Sequence, residues 1–424
     1  MRKLSAAVVA TATFVALGSH AAQATTPLPT APQGNPAISG LDNPDRIAGS
    51  YIVVLDPGSA PDQVAALHAS TYGIDIGHVY HAALHGYSAH MTQATATTIA
   101  SLPGVDFVEA DSTVRADAQT TPTGINRANA DASPTAAIDG TDQRVNVDVA
   151  VIDTGVDFTH PDLNVYTAGA KNCSLLALNA QDQNGHGTHV SGTIGALDNA
   201  TGVVGMAPGA RIWPVRVLNA AGVGSSSDVI CGIDYVTSKA SQIEVANMSL
   251  GGSGSDDGNC GNTNGDAEHK AICKSVAAGI TYAVAAGNDS ADASTSTPAA
   301  YDEVITVSAL SDFNGLPGGG APSTCRADVD DTFADYSNYG ADVDLIAPGT
   351  CIYSTWMNGG YNTISGTSMA TPHVTGAAAL YKSTHPSATP AQVKAALQAA
   401  GSTNWNNVDD PDGTKEKLLD VTGF

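Results

Sequence analysis

Three short segments of this chain each carry a side chain that can take part in nucleophilic catalysis. An apolar run over residues 147–153 ends at Asp153, directly before a Thr-Gly pair. His186 opens a stretch of small residues, and Ser368 lies between Gly-Thr and an apolar stretch that predicts a buried helix. A serine hydroxyl needs a base to remove its proton at neutral pH, and that base needs a carboxylate to fix its tautomer. The three residue types therefore predict an Asp-His-Ser triad for acyl transfer.

Each of these segments also has an ordinary structural explanation when it is taken alone. Serine commonly caps a helix, aspartate before glycine commonly caps a turn, and histidine is common in loops. Together they occur in the chain order Asp153, His186, Ser368, which is the order of the subtilisin triad. From about residue 118 to the C-terminus the sequence resembles the subtilisin-like serine peptidases. That resemblance implies a secreted serine endopeptidase that hydrolyses peptide bonds in proteins through an acyl-enzyme.

The resemblance implies roles for further residues of the site. Residues 280–288 read as a buried strand that ends in Gly-Asn, and the resemblance makes Asn288 an oxyanion donor beside the backbone amide of Ser368. Residues 247–252 match the family segment that pairs with extended substrate, and its glycines suit close approach by a peptide backbone. The substrate-binding residues implied are Ser249, Leu250, Gly251, Gly252, Ala286 and Gly287.

The resemblance also implies a structural calcium ion away from the catalytic residues. Residues 186–208 match the subtilisin calcium loop without insertion or deletion. Oxygen ligands that include a carboxylate suit Ca²⁺, which needs about 6 to 8 donors. The alternative is a turn rich in Asn and Gly that holds no metal. The ligands implied are the side chains of Gln119, Asp162 and Asn199 and the carbonyls of Leu197, Thr201 and Val203.

All six cysteines lie after residue 118. An even number in an exported chain favours disulfides over free thiols or a zinc site, but spacing alone leaves several pairings open. The resemblance to secreted family members implies three bonds, which join Cys173 to Cys231, Cys260 to Cys273 and Cys325 to Cys351.

The sequence alone leaves two other classes of protein open. A metallohydrolase could use His186 and His189, although their i, i+3 spacing lacks the glutamate of the HExxH motif. A binding protein on the same fold could lack activity, although all three triad positions and Asn288 are filled.

The elements that would position these residues alternate between strands and helices after residue 118. This alternation predicts an α/β fold with a mostly parallel sheet between two layers of helices, as in the subtilisin-like three-layer fold. Carboxyl ends of the strands in such a sheet gather at one edge, where ligands bind. The strand patterns cover residues 146–153, 211–218, 245–250, 282–286 and 304–309, and the helical patterns cover 188–196, 227–238, 267–278 and 390–400.

The segment before these elements predicts a second, smaller domain. Residues 51–117 read as strand, helix, two strands, helix and strand, which is a ferredoxin-like α+β order. They resemble the inhibitory prosegment of the subtilisin propeptide type, which acts as an intramolecular chaperone and then as an inhibitor. The resemblance implies a catalytic domain over residues 118–424 and self-cleavage between Asp117 and Ala118.

The N-terminus and the net charge predict where the protein acts. Residues 1–24 read as a signal peptide, with a basic start, an apolar stretch too short to span a membrane and an Ala-Gln-Ala cleavage site. Residues 25–50 predict a flexible leader. The formal charge of −24 argues against nucleic acid and anionic membranes as partners. We therefore expect an extracellular protein whose partners are protein or peptide substrates and its own prosegment.

Overall fold

The structure is a computed structural model that describes residues 38–43, 46–112, 118–175 and 177–424. The chain divides into two compact units, residues 1–115 and 116–424. The predicted signal peptide, most of the predicted leader and Asp117 at the predicted processing bond lie outside the described residues.

The first unit is a four-stranded antiparallel sheet with two helices. Its elements are β1 (Arg46–Leu55), α1 (Pro61–Tyr72), β2 (Asp75–Tyr80), β3 (Gly86–His90), α2 (Gln93–Ala100) and β4 (Val105–Ser112). The strand order β2-β3-β1-β4 confirms the predicted ferredoxin-like arrangement. Strand β1 begins inside the predicted leader, because Arg46 pairs with Ser112 of β4 across an irregularity in the register.

The second unit contains the elements that carry the predicted site. Its helices are α3 (Thr123–Arg127), α4 (His186–Gly195), α5 (Ser226–Ser238), α6 (Ala267–Ala277), α7 (Thr367–Thr384) and α8 (Pro390–Ala400). Its strands are β5 (Asp148–Asp153), β6 (Lys171–Asn172), β7 (Arg211–Arg216), β8 (Val245–Met248), β9 (Gly252–Ser253), β10 (Thr281–Ala285), β11 (Ser296–Thr297), β12 (Ile305–Ser311), β13 (Thr332–Phe333), β14 (Leu345–Pro348), β15 (Ile352–Trp356) and β16 (Gly360–Ile364).

The main sheet of this unit has the order β13-β12-β10-β8-β5-β7-β6, and β14 also pairs with β12. All of its pairings are parallel except that of β12 with β13. After β5 the chain forms the edge strand β6, passes through α4 and enters β7, which lies between β5 and β6. It then crosses to β8 on the other side of β5. The strand order therefore reverses at β5 and β8, and such a switch point is where open α/β sheets bind their ligands.

Helices cover both faces of the main sheet, which confirms the predicted three-layer fold. Along β5, Val149 and Val151 belong to the core beneath α4, α7 and α8, whereas Ala150 and Ile152 belong to the core beneath α5 and α6. Successive side chains of a strand point to opposite faces, so a strand buried on both sides is apolar at every one of these positions.

The three predicted disulfides are confirmed as Cys173–Cys231, Cys260–Cys273 and Cys325–Cys351. Among the described residues, no helix is both long enough and apolar enough to cross a membrane.

Candidate active site

Asp153 and His186 meet at the carboxyl edge of the main sheet. Asp153 is the last residue of β5 and is fully buried, while His186 is the first residue of α4. The His186 Nδ1 atom lies 2.8 Å from Asp153 Oδ1 and 3.0 Å from Oδ2. Burial alone would lower the pKa of His186, but the charge and hydrogen bond of Asp153, with a contribution from Asp182, raise it above its ordinary value. The carboxylate thus stabilises the imidazolium form.

A buried carboxylate that sequence reasoning missed holds the turn before His186. Asp182 accepts hydrogen bonds from the backbone amides of Gly185 and Thr188 at 3.0 Å each and from the Thr154 hydroxyl at 2.9 Å. Gly185 has a φ of 107°, and a Cβ there would overlap the indole of Trp356. The Asp-x-x-Gly spacing before a helix is the one local signal that could have indicated this turn.

Ser368 is the second residue of α7, and a reciprocal pair of bonds ties it to the loop after β8. Its hydroxyl donates to the carbonyl of Ser249 at 3.3 Å, and the Ser249 hydroxyl donates to the carbonyl of Ser368 at 2.8 Å. Pro372 lies four residues further along α7 and has no N–H to donate to that carbonyl. The Ser249 hydroxyl therefore supplies the hydrogen bond that the helix cannot.

Asn288 follows β10 and lies beside the start of α7. Its Oδ1 atom accepts from the Thr367 backbone amide at 2.8 Å and from the Thr367 hydroxyl at 3.0 Å. These two bonds fix the orientation of the carboxamide and leave its NH₂ group as the donor. Asn288 and Ser368 line the same cavity. A fixed N–H donor beside a nucleophile is the arrangement that stabilises an oxyanion.

Two cavities flank the segment Leu250–Ser253 and share it as a wall. Ser368 and Asn288 line the small cavity, which has a volume of about 310 Å³. His186 lines the large cavity, which has a volume of about 620 Å³. The predicted substrate-binding residues all line these cavities: Ala286 and Gly287 line the small one, Ser249 lines the large one, and Leu250, Gly251 and Gly252 line both. A peptide lying along the shared wall would reach both cavities.

The second histidine of the metallohydrolase alternative is a core residue. His189 is fully buried, and its Nε2 atom lies 2.9 Å from the carbonyl oxygen of Ile352. Burial lowers the pKa of His189 to about 3. Its ring also packs edge-on against Trp356. These contacts give His189 a packing role.

The residues predicted to bind calcium also lie together. Asp162 is buried, and its carboxylate accepts from the Asn199 side chain at 3.0 Å and from the Val203 backbone amide at 2.9 Å. The Gln119 Oε1 atom accepts from the backbone amides of Asn199 and Ala200 at 2.8 and 3.1 Å. The loop and the segment around residue 119 are therefore joined by hydrogen bonds.

The chemistry of this donor set fits a hard cation through Asp162 and three carbonyls. Burial raises the pKa of Asp162 to about 6 although Val203, Asn199 and Tyr361 donate to it, so the carboxylate would gain from a cation. Within residues 118–175 and 177–424, no backbone amide donates to the carbonyls of Leu197, Thr201 or Val203. The side-chain oxygens of Gln119 and Asn199, in contrast, each already accept two hydrogen bonds from the loop.

Comparison with known proteins identifies the class to which this fold and site belong. A model of the subtilase family matches residues 145–417, and a model of the peptidase inhibitor I9 family matches residues 50–117. An extracellular serine proteinase of Thermus sp. (strain Rt41A) is 37% identical over 398 residues, which cover 87% of this chain and 88% of that protein. Subtilisin E of Bacillus subtilis (strain 168) is 41% identical over 300 residues, which cover 70% of each chain.

A solved structure supports the same assignment. The crystal structure of a cold adapted subtilisin-like serine proteinase matches with a TM-score of 0.52 and 34% identity, and covers 66% of this chain and 91% of that one. The chain belongs to the subtilase family and carries a prosegment of the I9 type. It is a subtilisin-like serine peptidase, a hydrolase of peptide bonds.

Proposed function

We propose that the protein is a secreted endopeptidase that cleaves proteins through Asp153, His186 and Ser368. The observation that carries this proposal is the hydrogen bond between His186 and the buried Asp153 at the sheet edge. His186 lines the large cavity, which shares the wall Leu250–Ser253 with the small cavity that Ser368 lines. The buried Asp153 carboxylate keeps Nδ1 of His186 protonated, so Nε2 is free to act as the base.

In this proposal Ser368 attacks the scissile carbonyl while His186 takes its proton. The Asn288 NH₂ group and the Ser368 backbone amide hold the oxyanion, and His186 then gives the proton to the leaving amine. Water hydrolyses the acyl-enzyme by the same steps in reverse. In this structure the Ser249 carbonyl accepts a hydrogen bond from the Ser368 hydroxyl. That bond would hold the hydroxyl until His186 removes its proton.

The experiment replaces Ser368 with alanine and measures hydrolysis of a protein substrate such as casein. We expect Ser368→Ala to lose nearly all activity, as removal of a triad member does, and Ser241→Ala, at an exposed serine, to keep it. Wild-type enzyme should also lose activity in step with covalent labelling of Ser368 by a phosphonylating reagent. Full activity after complete labelling would contradict the proposal and favour a metal-dependent reaction.

We also propose that the enzyme matures by cleaving its own prosegment near Asp117–Ala118. The match of the I9 family to residues 50–117 supports this, because that match ends at the predicted bond. The Ser368→Ala variant should then accumulate as an unprocessed precursor. N-terminal sequencing of the secreted wild-type protein should begin within a few residues of Ala118, and a start before residue 114 or after 124 would contradict the assignment.

The calcium ion remains part of this proposal. Structural calcium is general in the subtilase family. Asp162 and the carbonyls of Leu197, Thr201 and Val203 would hold the ion. The side-chain oxygens of Gln119 and Asn199 would also contact it, while they accept hydrogen bonds from the loop. The ion would stabilise the loop after α4 and would take no part in the reaction.

A further inference from the structure

Among the residues that the structure describes, Glu268 is the one carboxylate that lines the large cavity. It lies in the first turn of α6, and its side chain is partly buried. Burial, followed by the charge of the nearby Asp266, raises the pKa of Glu268 to about 7, and no cation offsets either effect. Within the part of the chain that the structure describes, Glu268 has no Lys, Arg or His partner. A partly buried carboxylate without a partner favours a cationic ligand.

The surroundings of Glu268 are held firmly. Asp266, the cap of α6, accepts from the backbone amides of Glu268 and His269 and from the Tyr301 hydroxyl. His269 is fully buried and stacks on Tyr301 with ring centroids 4.0 Å apart. The Cys260–Cys273 disulfide ties the preceding loop to the same helix. The carboxylate is therefore presented from a fixed helix end rather than from a mobile loop.

The remaining walls of the large cavity suit a long side chain with a charged end. Leu218, Val229 and Leu250 supply apolar surface, and small residues line most of the rest. Lysine and arginine place an aliphatic stem against apolar surface and carry a positive charge at the tip. Because the two cavities share the wall Leu250–Ser253, an extended peptide whose reactive carbonyl lies beside Ser368 can place another side chain in the large cavity.

We propose that Glu268 is the specificity-determining residue of the large cavity, which binds a lysine or arginine side chain of the substrate upstream of the residue that supplies the scissile carbonyl. This inference rests on the proposed function, because it concerns the same cleft. It names a class of preferred substrate: peptides with a basic residue before, but not at, the cleavage position.

The test uses the mature enzyme and fluorogenic peptides that differ only in carrying lysine or norleucine at each of four positions upstream of the cleaved bond. Norleucine matches the lysine stem and lacks the charge. At pH 8.5, we expect lysine to raise kcat/KM by roughly 10- to 100-fold over norleucine at one position before the last, as a partly buried charged hydrogen bond would. Glu268→Gln should bring that ratio close to one.

Two further variants make the test specific. Asp409→Asn removes the same charge at an exposed residue outside both cavities and should keep the preference for lysine. Glu268→Leu should reverse the preference, so that norleucine peptides are cleaved faster than lysine peptides. Titration of active sites with a phosphonylating reagent corrects for any misfolded fraction. Equal rates for lysine and norleucine at every position, or a lysine preference that survives in Glu268→Gln, would overturn the inference.

These outcomes are distinct from failure of the proposed function. If the proposed function were wrong, the norleucine and lysine peptides would both resist hydrolysis, or Ser368→Ala would cleave them as fast as the wild type. If only the Glu268 inference were wrong, both peptides would be cleaved in a Ser368-dependent way at similar rates.

Discussion

At the scale of single residues, the ionisation of His186 would set the pH range in which the proposed mechanism operates. In the proposed mechanism His186 must be neutral to take a proton from Ser368, and Asp153 raises the pKa of His186 above its ordinary value of 6.5. We therefore expect kcat/KM to be low in acid and to rise with pH through a midpoint above 6.5. Asp153→Asn should move that midpoint to lower pH and reduce kcat by about 10,000-fold, because the tautomer is no longer held. A pH profile of kcat/KM for both proteins checks this, and an unchanged midpoint would contradict it.

Asn288 should act on the transition state more than on substrate binding. Loss of its NH₂ donor in Asn288→Ala should lower kcat by roughly 100- to 1,000-fold with little change in KM, because the oxyanion forms only as the carbonyl is attacked. Asn288 also accepts two hydrogen bonds from Thr367, so the effect of losing these bonds needs a control. Thr367→Val removes the hydrogen bonds that the Thr367 hydroxyl makes with Asn288 and with the Gly287 amide, but keeps the Asn288 NH₂ donor. We expect it to lose much less activity. Equal losses in the two variants would show that Asn288 acts through packing.

At the scale of secondary-structure elements, Lys394 on α8 joins that helix to the segments that precede β12 and β14. The Lys394 ammonium on α8 lies 2.8 Å from Asp344 Oδ2 and donates to the carbonyls of Val304 at 2.8 Å and Asp302 at 3.2 Å. Burial raises the pKa of Asp344, and Lys394 opposes that rise. The lysine therefore supplies the charge that lets this carboxylate stay ionised before β14.

Removing that charge should destabilise the catalytic unit. Lys394→Met keeps the stem and leaves Asp344 unpaired, which should lower the free energy of unfolding by about 1 to 3 kcal/mol. Adding Asp344→Asn to Lys394→Met should recover part of the loss, because the buried charge is then gone. Denaturant unfolding in a Ser368→Ala background, which limits self-digestion, measures both. No recovery in the double variant would contradict an electrostatic origin.

The elements that carry the site were predictable because their signals are local. Four apolar residues lead to Asp153 at the end of β5, His186 opens the stretch of small residues that forms α4, and Ser368 precedes the apolar stretch that forms α7. The supporting contacts were not predictable, since their partners are distant in the chain. Asp182 bonds to Thr154, 28 residues away, and Lys394 bonds to Val304, 90 residues away. No pattern of spacing marks such pairs.

At the scale of the whole molecule, the sequence carries 41 acidic and 17 basic residues. Repulsion between so many like charges destabilises the compact state. Bound cations and covalent cross-links therefore become more important for the stability of the fold. The three disulfides contribute about 2 to 4 kcal/mol each where they close loops without strain. A calcium ion at Asp162 would add to these contributions and would also reduce the negative charge.

The calcium proposal gives the last prediction. An ion that binds only the folded protein stabilises it by about 2.7 kcal/mol when its concentration is 100 times the Kd. Chelation of the Ser368→Ala protein should therefore lower the melting temperature, and Asp162→Asn, which keeps the shape of the side chain and removes its charge, should lose most of that calcium dependence. In the active enzyme, kcat should not change with chelator well below the melting temperature, because the proposed ion touches no catalytic residue. A wild-type melting temperature that is the same in calcium and in excess chelator, with no calcium found by metal analysis, would show that the loop is held by its hydrogen bonds alone.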